Sequence, residues 1–273
     1  MTSTGKATSR ETIVAGIFYP ANAWELRRAV WSFLAAAKTA KAKTDRTEMP
    51  KALIVPHAGY TYSGPIASSA YAQLTTHAGK LSRIVLLGPS HHVPFTGLAY
   101  NSAAATFLTP LGAVPVDQEA YAEVYDLPQV RCYEAPFIGE HCLEVQLPFL
   151  QISLGEFRIV PFLVGAAATE EVAQVIAYLW GGVETLIVVS SDLSHYLDYE
   201  HAVAMDAETT RAIESLRPEA ITSTHACGHV PLGSLLREAQ HRGLKARTLD
   251  LRNSGDTAGP RDRVVGYGAY AFS

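Results

Sequence analysis

The amino-acid sequence predicts an α/β fold, a single-domain sandwich in which helices flank a central, mostly parallel or mixed β-sheet. Short apolar runs rich in β-branched residues recur along the chain, and each is nearly continuous rather than alternating, as in strands buried on both faces. Helical patterns lie between these runs, and strands that alternate with helices build such a sheet. The four clearest runs are residues 52–55, 83–87, 158–164 and 185–189.

Helix signals separate the predicted strands. The segment 22–38 begins with the capping candidate Asn22 and has Glu25 three residues later, and its apolar residues then recur at helical spacing. The segment 169–180 has two glutamates in its first turn and ends at a Gly-Gly pair, which is typical of a helix stop. Further helices are predicted at residues 199–216 and 232–241, and further strands at residues 246–251 and 264–272.

Length and composition exclude several classes of protein. The 273 residues carry a net charge of −4, which argues against a broad basic surface for nucleic acid or anionic lipid. The apolar stretches fall short of the ~18 residues that a membrane helix needs. Residues 1–12 are polar, lack the pattern of a secretory signal and are expected to be flexible. Three cysteines without a Cys-x-x-Cys motif imply no disulfide framework. We therefore expect one cytoplasmic domain over residues 1–273, with a surface loop at residues 38–51 and no nucleic-acid or membrane partner.

Three of the predicted strands end in the same way, with residues that can bind a ligand. His57 follows the first run, His91 and His92 follow the second, and Asp192-Leu-Ser-His195 follows the fourth. Ligands of open α/β sheets bind beyond the carboxyl ends of the strands, so these side chains are expected to converge. His195 is expected on the same side of a first helical turn as Asp192. The alternative role for Asp192 is to cap the following helix.

Two further segments carry candidate residues. His141 and Glu144 stand three positions apart at a predicted helix start, so they either face one site together or form an ordinary polar face. Cys227 is followed by a glycine and is either a ligand or a small buried hydrophobic residue. Two imidazoles with a thiolate or a carboxylate give a three-ligand site with open positions, the pattern of catalytic metals. The spacing does not choose between zinc, iron and copper.

Six motifs in a fixed order carry a family resemblance. They are Pro56-His-Ala-Gly-Tyr-Thr-Tyr-Ser-Gly64, Leu87-Gly-Pro-Ser-His-His-Val93, Thr109-Pro-Leu-Gly112, Glu140-His-Cys-Leu-Glu-Val-Gln-Leu-Pro148, Val188-Val-Ser-Ser-Asp-Leu-Ser-His195 and Cys227-Gly-His-Val-Pro-Leu-Gly233. Together they resemble the Memo family, whose bacterial and archaeal members are called AmmeMemoRadiSam system protein B. The resemblance covers nearly the whole chain. It implies the fold of class III extradiol dioxygenases, non-haem iron enzymes that cleave catecholic rings.

The resemblance also implies a metal site. In it, the residues that match His57, His91 and Cys227 are the ligands. The dioxygenases have a carboxylate as third ligand, and a thiolate in its place changes the charge at the metal and is itself oxidisable. This departure from the pattern argues against carrying ring cleavage over to this chain. The residues that the resemblance places in the same pocket are Asp192, His195, His141 and Glu144.

These inferences predict a metal-binding protein with a redox-active iron or copper site, related to oxidoreductases, with Fe(II) as the first choice of metal and copper or zinc as the others. Asp192, His195, His141 and Glu144 are its candidate acid/base groups. One alternative is a non-catalytic module that binds a phosphorylated or carboxylated small molecule or peptide. A second alternative is a zinc hydrolase. The family name implies a functional link to an AMMECR-type protein and a radical SAM enzyme.

Overall fold

Twelve β-strands and six α-helices make up the regular structure of residues 8–40 and 48–273, the part of the chain that this computed structural model describes. The helices are α1 (Ala23–Ala40), α2 (Tyr60–Tyr71), α3 (Leu147–Leu154), α4 (Thr169–Tyr178), α5 (Tyr199–Glu214) and α6 (His229–His241). The strands are β1 (Thr8–Arg10), β2 (Ala52–Val55), β3 (Arg83–Pro89), β4 (Leu98–Tyr100), β5 (Ala104–Thr109), β6 (Gly112–Pro115), β7 (Val130–Cys132), β8 (Arg158–Val164), β9 (Thr185–Ser190), β10 (His195–Leu197), β11 (Ala246–Asn253) and β12 (Val264–Phe272).

The main sheet is mixed, with a parallel centre. Its strand order is β10-β12-β2-β9-β3-β8-β4-β7, and β11 pairs with β12. The four central strands β2, β9, β3 and β8 are parallel neighbours, whereas β12 and β4 run antiparallel to the strands that they flank. The four central strands are the four apolar runs of the sequence, and nearly all of their residues are buried. The predicted α/β fold with a central mixed sheet is therefore confirmed.

The helices pack in groups against this sheet. Helices α1, α2 and α3 contact one another, and α2 lies against β2 and β12. Helices α4 and α6 pack together, and α6 contacts β3 and β9. Their buried apolar side chains join those of the strands in one continuous core, which extends from Phe107 of β5 to Tyr270 of β12. No helix among the described residues combines the length and the apolar character needed to cross a bilayer.

A second, smaller sheet has the order β1-β5-β6 and was not predicted. Strand β1 pairs with β5 in parallel, and the Arg10 side chain reaches the buried carboxylate of Glu144. Residues 1–12 were expected to be flexible; residues 1–7 lie outside the described part of the chain, whereas Thr8–Arg10 form this strand. Its attachment depends on backbone pairing and on one arginine, which a search for apolar periodicity does not detect.

Other boundaries also differ from the prediction. Helix α2 was not predicted because Gly64, Pro65 and several serines give it the composition of a turn. Gly64 lies where α2 meets α1, and an added Cβ would come within 2.9 Å of the Phe33 ring. Helix α6 begins three residues earlier than predicted, at His229. Of the loop predicted at residues 38–51, residues 41–47 lie outside the described part of the chain.

Candidate metal centre

The parallel strands deliver their ligand-type residues to one edge of the sheet. His57 comes two residues after the end of β2, His91 two residues after β3, and Asp192 two residues after β9. Because these strands are parallel neighbours, their carboxyl ends lie side by side. Cys227 reaches the same place from the loop before α6. The convergence that the sequence predicts is therefore present for His57, His91, Asp192 and Cys227.

The geometry of three of these residues fits a metal ion. One ligand atom each from His57, His91 and Cys227 lies within 4.8 Å of the others. The Cys227 Sγ is 3.4 Å from the His57 Nε2. Two ligands of a tetrahedral ion, at ~2.0 Å for nitrogen and ~2.3 Å for sulfur, stand about 3.5 Å apart. His57 is buried, whereas the His91 side chain is 27% exposed, so the cluster can be reached from solvent.

The far side of the His57 ring is fixed by Ser190. The Ser190 hydroxyl donates its only hydrogen to the Cys142 carbonyl at 2.7 Å. It must therefore accept at its oxygen from the His57 Nδ1, which is 2.9 Å away. Gln146 donates to the same hydroxyl and to the Pro56 carbonyl, which fixes its amide orientation. The His57 Nδ1 consequently carries a proton, and the Nε2 faces Cys227.

Glu140 fixes the orientation of the His91 ring, as Ser190 does for His57. One of its oxygens accepts from the His91 backbone N–H at 2.7 Å, and the other is 2.9 Å from the His91 Nδ1. That second oxygen also accepts from the backbone N–H groups of His141 and Cys142. Glu140 thereby positions the His91 imidazole, and with His91 and His141 it also forms a second group of possible metal ligands. A carboxylate behind a ligating imidazole is a common arrangement in metal sites.

The charges in the cluster are strongly coupled. Burial alone would raise the pKa of the Cys227 thiol, but the neighbouring His57 and His91 imidazoles lower it to about 5. Burial opposes the charged form of His91, yet hydrogen bonds to Cys227 and Glu140 raise its pKa to about 10. The pKa of His57 is also raised: burial lowers it, and the charges of Asp192 and Cys227 outweigh burial. Cys227 is therefore a thiolate at neutral pH.

His141 and Asp192 lie beside the three ligand residues. The His141 ring stacks on His91 at a centroid distance of 5.2 Å and packs edge-on against Phe18 at 4.8 Å. Burial, together with the positive charge of the neighbouring histidines, lowers the pKa of His141 to about 4, so its ring is neutral at pH 7. Asp192 accepts the His57 backbone N–H at 2.7 Å and so holds the turn that carries this ligand.

The family resemblance places Glu144 and His141 in one pocket, but in the structure the two side chains face different neighbours. The Glu144 carboxylate is fully buried and accepts hydrogen bonds from the N-terminal segment instead. The physical reason is that His141 precedes the 3-10 turn Glu144–Gln146 and lies in a non-helical segment, so no helical i, i+3 relation joins the two side chains. The donors to Glu144 are Arg10, the backbone N–H groups of Ile13 and Val14, and the Tyr19 hydroxyl.

His195 has different neighbours from those expected. Residues 191–194 are not helical, and His195 begins strand β10, so it does not share a helical turn with Asp192. Its Nδ1 lies 2.8 Å from the Leu193 carbonyl, and its ring packs against Tyr196. Asp192 does not cap the following helix either, because Asp198 is the N-cap of α5.

Three residues of this site were missed in the sequence. Glu140, Ser190 and Gln146 were not singled out. A signal was available for Glu140, since it precedes His141 in a segment that was already a candidate. Ser190 and Gln146 carry no comparable signal, because their contacts to His57 cross large sequence separations.

A cavity lies at another place in the described structure. Its volume is about 730 Å³, and it opens at the amino ends of β3 and β8, beside Arg83 and Arg158. This is the opposite edge of the sheet from the cluster. The Arg83 side chain is already paired with Asp117 and Glu123. Cavity volume alone therefore does not locate the candidate functional site. The ligand-type side chains locate it at the carboxyl edge of the sheet.

Fold and site together define an α/β protein with a His, His, Cys cluster that could hold a metal ion at the carboxyl edge of its sheet. The chain belongs to the Memo family, since the family model described as "Memo-like protein" matches residues 10–271. A MEMO1 family protein of Aeropyrum pernix is 37% identical over 276 residues, covering 93% of this chain and 96% of the relative. One from Aquifex aeolicus is 36% identical over 275 residues, covering 94% and 97%. A solved structure of an uncharacterized Escherichia coli K12 protein, JW3007, aligns at 12% identity with a TM-score of 0.46, covering 82% of this chain and 99% of that one.

Proposed function

We propose that this chain binds one transition-metal ion through His57, His91 and Cys227, and that the ion is redox-active, with Fe(II) as the first candidate and copper as the second. The observation that carries the proposal is the grouping of the three donor atoms within 4.8 Å. The Nδ1 atoms of both imidazoles are engaged away from Cys227, by Ser190 and by Glu140. Such an orienting layer is what a metal site requires and what a chance cluster lacks.

Each residue of the site has a definite task in this proposal. When bound, the ion supplies Lewis-acid and one-electron chemistry at its open positions. Cys227 contributes a thiolate at neutral pH, because its pKa is lowered to about 5. His141 is a neutral imidazole next to His91 and can accept a proton from a molecule at the open side. Asp192 keeps the His57 turn in place.

Metal content is the direct test. The protein is purified under anaerobic conditions and analysed by inductively coupled plasma mass spectrometry, beside a His57→Ala, His91→Ala double variant. We expect about one ion per chain in the wild type and loss of nearly all of it in the double variant, because one sulfur alone holds a metal weakly. His201→Ala is the matched control, because the His201 side chain is 79% exposed and pairs with Asp198. Equal metal in the wild type and the double variant would refute the proposal.

The identity of the metal needs a second measurement. Anomalous scattering from reduced crystals at the iron, copper and zinc edges identifies the bound element. Iron or copper with oxygen consumption supports the redox proposal. Zinc with hydrolytic activity and no oxygen consumption supports the zinc hydrolase instead.

A further inference from the structure

The backbone of Cys142 joins the hydrogen-bonded groups that lie behind the two imidazoles of the cluster. Its N–H donates at 3.0 Å to the Glu140 Oε1, the same oxygen that lies 2.9 Å from the His91 Nδ1. Its carbonyl accepts at 2.7 Å from the Ser190 hydroxyl, whose oxygen accepts from the His57 Nδ1. The two rings are therefore connected to each other through the peptide groups of a single residue.

The side chain of Cys142 fixes where this residue lies. It is fully buried, and its Sγ stands 3.2 Å from the Pro89 carbonyl oxygen. A carbonyl oxygen has no hydrogen to give, so the thiol is the donor of this hydrogen bond. Pro89 is the last residue of β3 and stands two positions before His91. The thiol therefore holds Cys142 against the strand that carries one of the two imidazoles.

A glycine provides the space for this thiol. Gly88 precedes Pro89 in β3, and a Cβ added to it would lie 2.6 Å from the Cys142 Sγ and 2.9 Å from the Leu143 Cδ2. Extended strand backbone is open to any residue, so the conformation does not require glycine here. Close packing does, because a folded interior has no free space for an additional methyl group at such distances. Gly88 and Cys142 are thus matched in size.

We propose that Cys142 is a positioning residue that makes His57 and His91 move together, because both rings are held through its peptide groups. A shift of the Cys142 backbone displaces the partners of both rings, Ser190 and Glu140, at the same time. This role differs from that of a ligand, because the thiol is directed at a backbone carbonyl. The coupling of the two rings requires only the geometry described, whereas its effect on metal affinity rests on the proposed function.

Gly88→Ala, Cys142→Ala and the corresponding double variant test this pairing. In Gly88→Ala the new methyl group displaces Cys142, because the thiol cannot rotate away without breaking its bond to Pro89. In the double variant the sulfur is absent, and the end of the Leu143 side chain can yield to the remaining contact. Cys142→Ala alone keeps both peptide groups and is the reference for the double variant. Gly233→Ala is the matched control, because a Cβ added to this buried glycine meets no atom closer than 3.5 Å.

The orientation of both rings is read in the metal-free protein by NMR, from the Nδ1 proton signals of His57 and His91 in isotope-labelled histidine. We expect both signals to change in Gly88→Ala, and to return in the double variant to their positions in Cys142→Ala. A milder variant, Cys142→Ser, replaces the long thiol hydrogen bond with a hydroxyl bond of about 2.8 Å and should move both signals by less. A change in only one signal in either variant, or no recovery in the double variant, would overturn the proposal.

Metal affinity of the same proteins is measured by competition with a chelator. Loss of one orienting partner costs about 10- to 100-fold in metal affinity, so we expect Gly88→Ala to bind metal at least about tenfold more weakly and the double variant to recover. A wild type that binds no metal, with both NMR signals coupled as expected, contradicts the proposed function alone. Metal binding by the wild type, with NMR signals that change independently, contradicts the role of Cys142 alone.

Discussion

Ser190 fixes the orientation of the His57 ring. Its hydroxyl has one hydrogen, which the Cys142 carbonyl takes, so the hydroxyl can only accept from the His57 Nδ1. The protonated nitrogen is thereby assigned by hydrogen bonding rather than by the metal. The His57 Nε2 therefore already faces Cys227 in the metal-free protein, and the orientation of the ring does not depend on an ion.

Ser190→Ala is expected to weaken metal binding. The variant leaves the His57 Nδ1 without its acceptor and no longer fixes which nitrogen carries the proton. Loss of such an orienting partner costs about 10- to 100-fold in metal affinity. Competition with a chelator of known affinity measures the change. Ser153→Ala is the control, because the Ser153 hydroxyl is buried and has no hydrogen-bond partner in the part of the chain that the structure describes. If both variants bind metal as the wild type does, the orienting role of Ser190 is wrong.

At this scale the sequence predicted the ligand-type residues better than their neighbours. His57 and His91 follow strands whose direction could be inferred, so their meeting could be inferred too. Cys227 was placed beside them only by family resemblance, because nothing local ties its loop to that edge. The resemblance placed Glu144 in the pocket, whereas Glu140 was not singled out. The side-chain direction in an irregular turn depends on backbone angles that residue spacing does not reveal.

At the scale of elements, the N-terminal segment is fastened to the site through one buried carboxylate. Glu144 accepts from Arg10 of β1, from the Ile13 and Val14 backbone and from the Tyr19 hydroxyl. The other end of the Arg10 guanidinium donates to the Glu140 carbonyl. Strand β1 is thus attached next to the loop that orients His91, although it contributes no metal ligand.

Glu144→Gln is expected to destabilise the fold without emptying the metal site. The change leaves the Arg10 side chain, which is only 9% exposed, without its counter-charge, at a cost of about 3 kcal/mol. Urea unfolding of the metal-free protein measures the loss. Glu170→Gln is the comparison, since it breaks the exposed pair with Arg237 and should cost less than about 1 kcal/mol. If Glu144→Gln is fully folded and yet binds no metal, Glu144 takes part in metal binding and this prediction is wrong.

The elements that could be predicted are those whose signal is apolar periodicity. The central strands and most helices fall in this class, and β12 matches its predicted bounds, Val264–Phe272. Helix α2 and strand β1 do not. Helix α2 packs a glycine and several serines against its neighbours, so its burial comes from close contact of small residues rather than from large apolar ones. Strand β1 depends on tertiary pairing with β5, which no local pattern encodes.

At the scale of the whole molecule, the placement of chemistry follows from the topology. The parallel centre gathers the carboxyl ends of β2, β3 and β9 at one edge, and the ligands follow those ends. The antiparallel strand β12 returns alongside β2, and β10 pairs with its first residues. Because β10 directly follows Asp192, the C-terminal strand helps to hold the segment that supports His57. The site therefore depends on the integrity of the sheet from β12 to β8.

The stability of the fold depends on pH through the buried carboxyl group of Asp206. It lies buried on α5, and its carboxylate accepts the Ser194 backbone N–H at 3.0 Å, close against Gly266 of β12. Burial raises its pKa to about 6, although the hydrogen bonds to Ser194 oppose this. In the unfolded chain the pKa is ~3.9. The folded state therefore binds the proton more tightly, and this contribution to stability is present below pH ~4 and is lost as the pH rises through ~6.

Asp206→Asn should remove this dependence, because the amide can still accept from Ser194 and never ionises. A pKa difference of ~2 units corresponds to about 2–3 kcal/mol. The free energy of unfolding of the metal-free wild type, measured in urea, should therefore fall by that amount relative to the variant between pH 4 and pH 7. Other groups titrate in both proteins and cancel in the difference. Asp262→Asn, at an exposed position, checks that cancellation. A difference between wild type and Asp206→Asn that stays constant with pH would mean that Asp206 titrates alike in the folded and unfolded chains, and that the contact between α5 and the C-terminal strand does not depend on its proton.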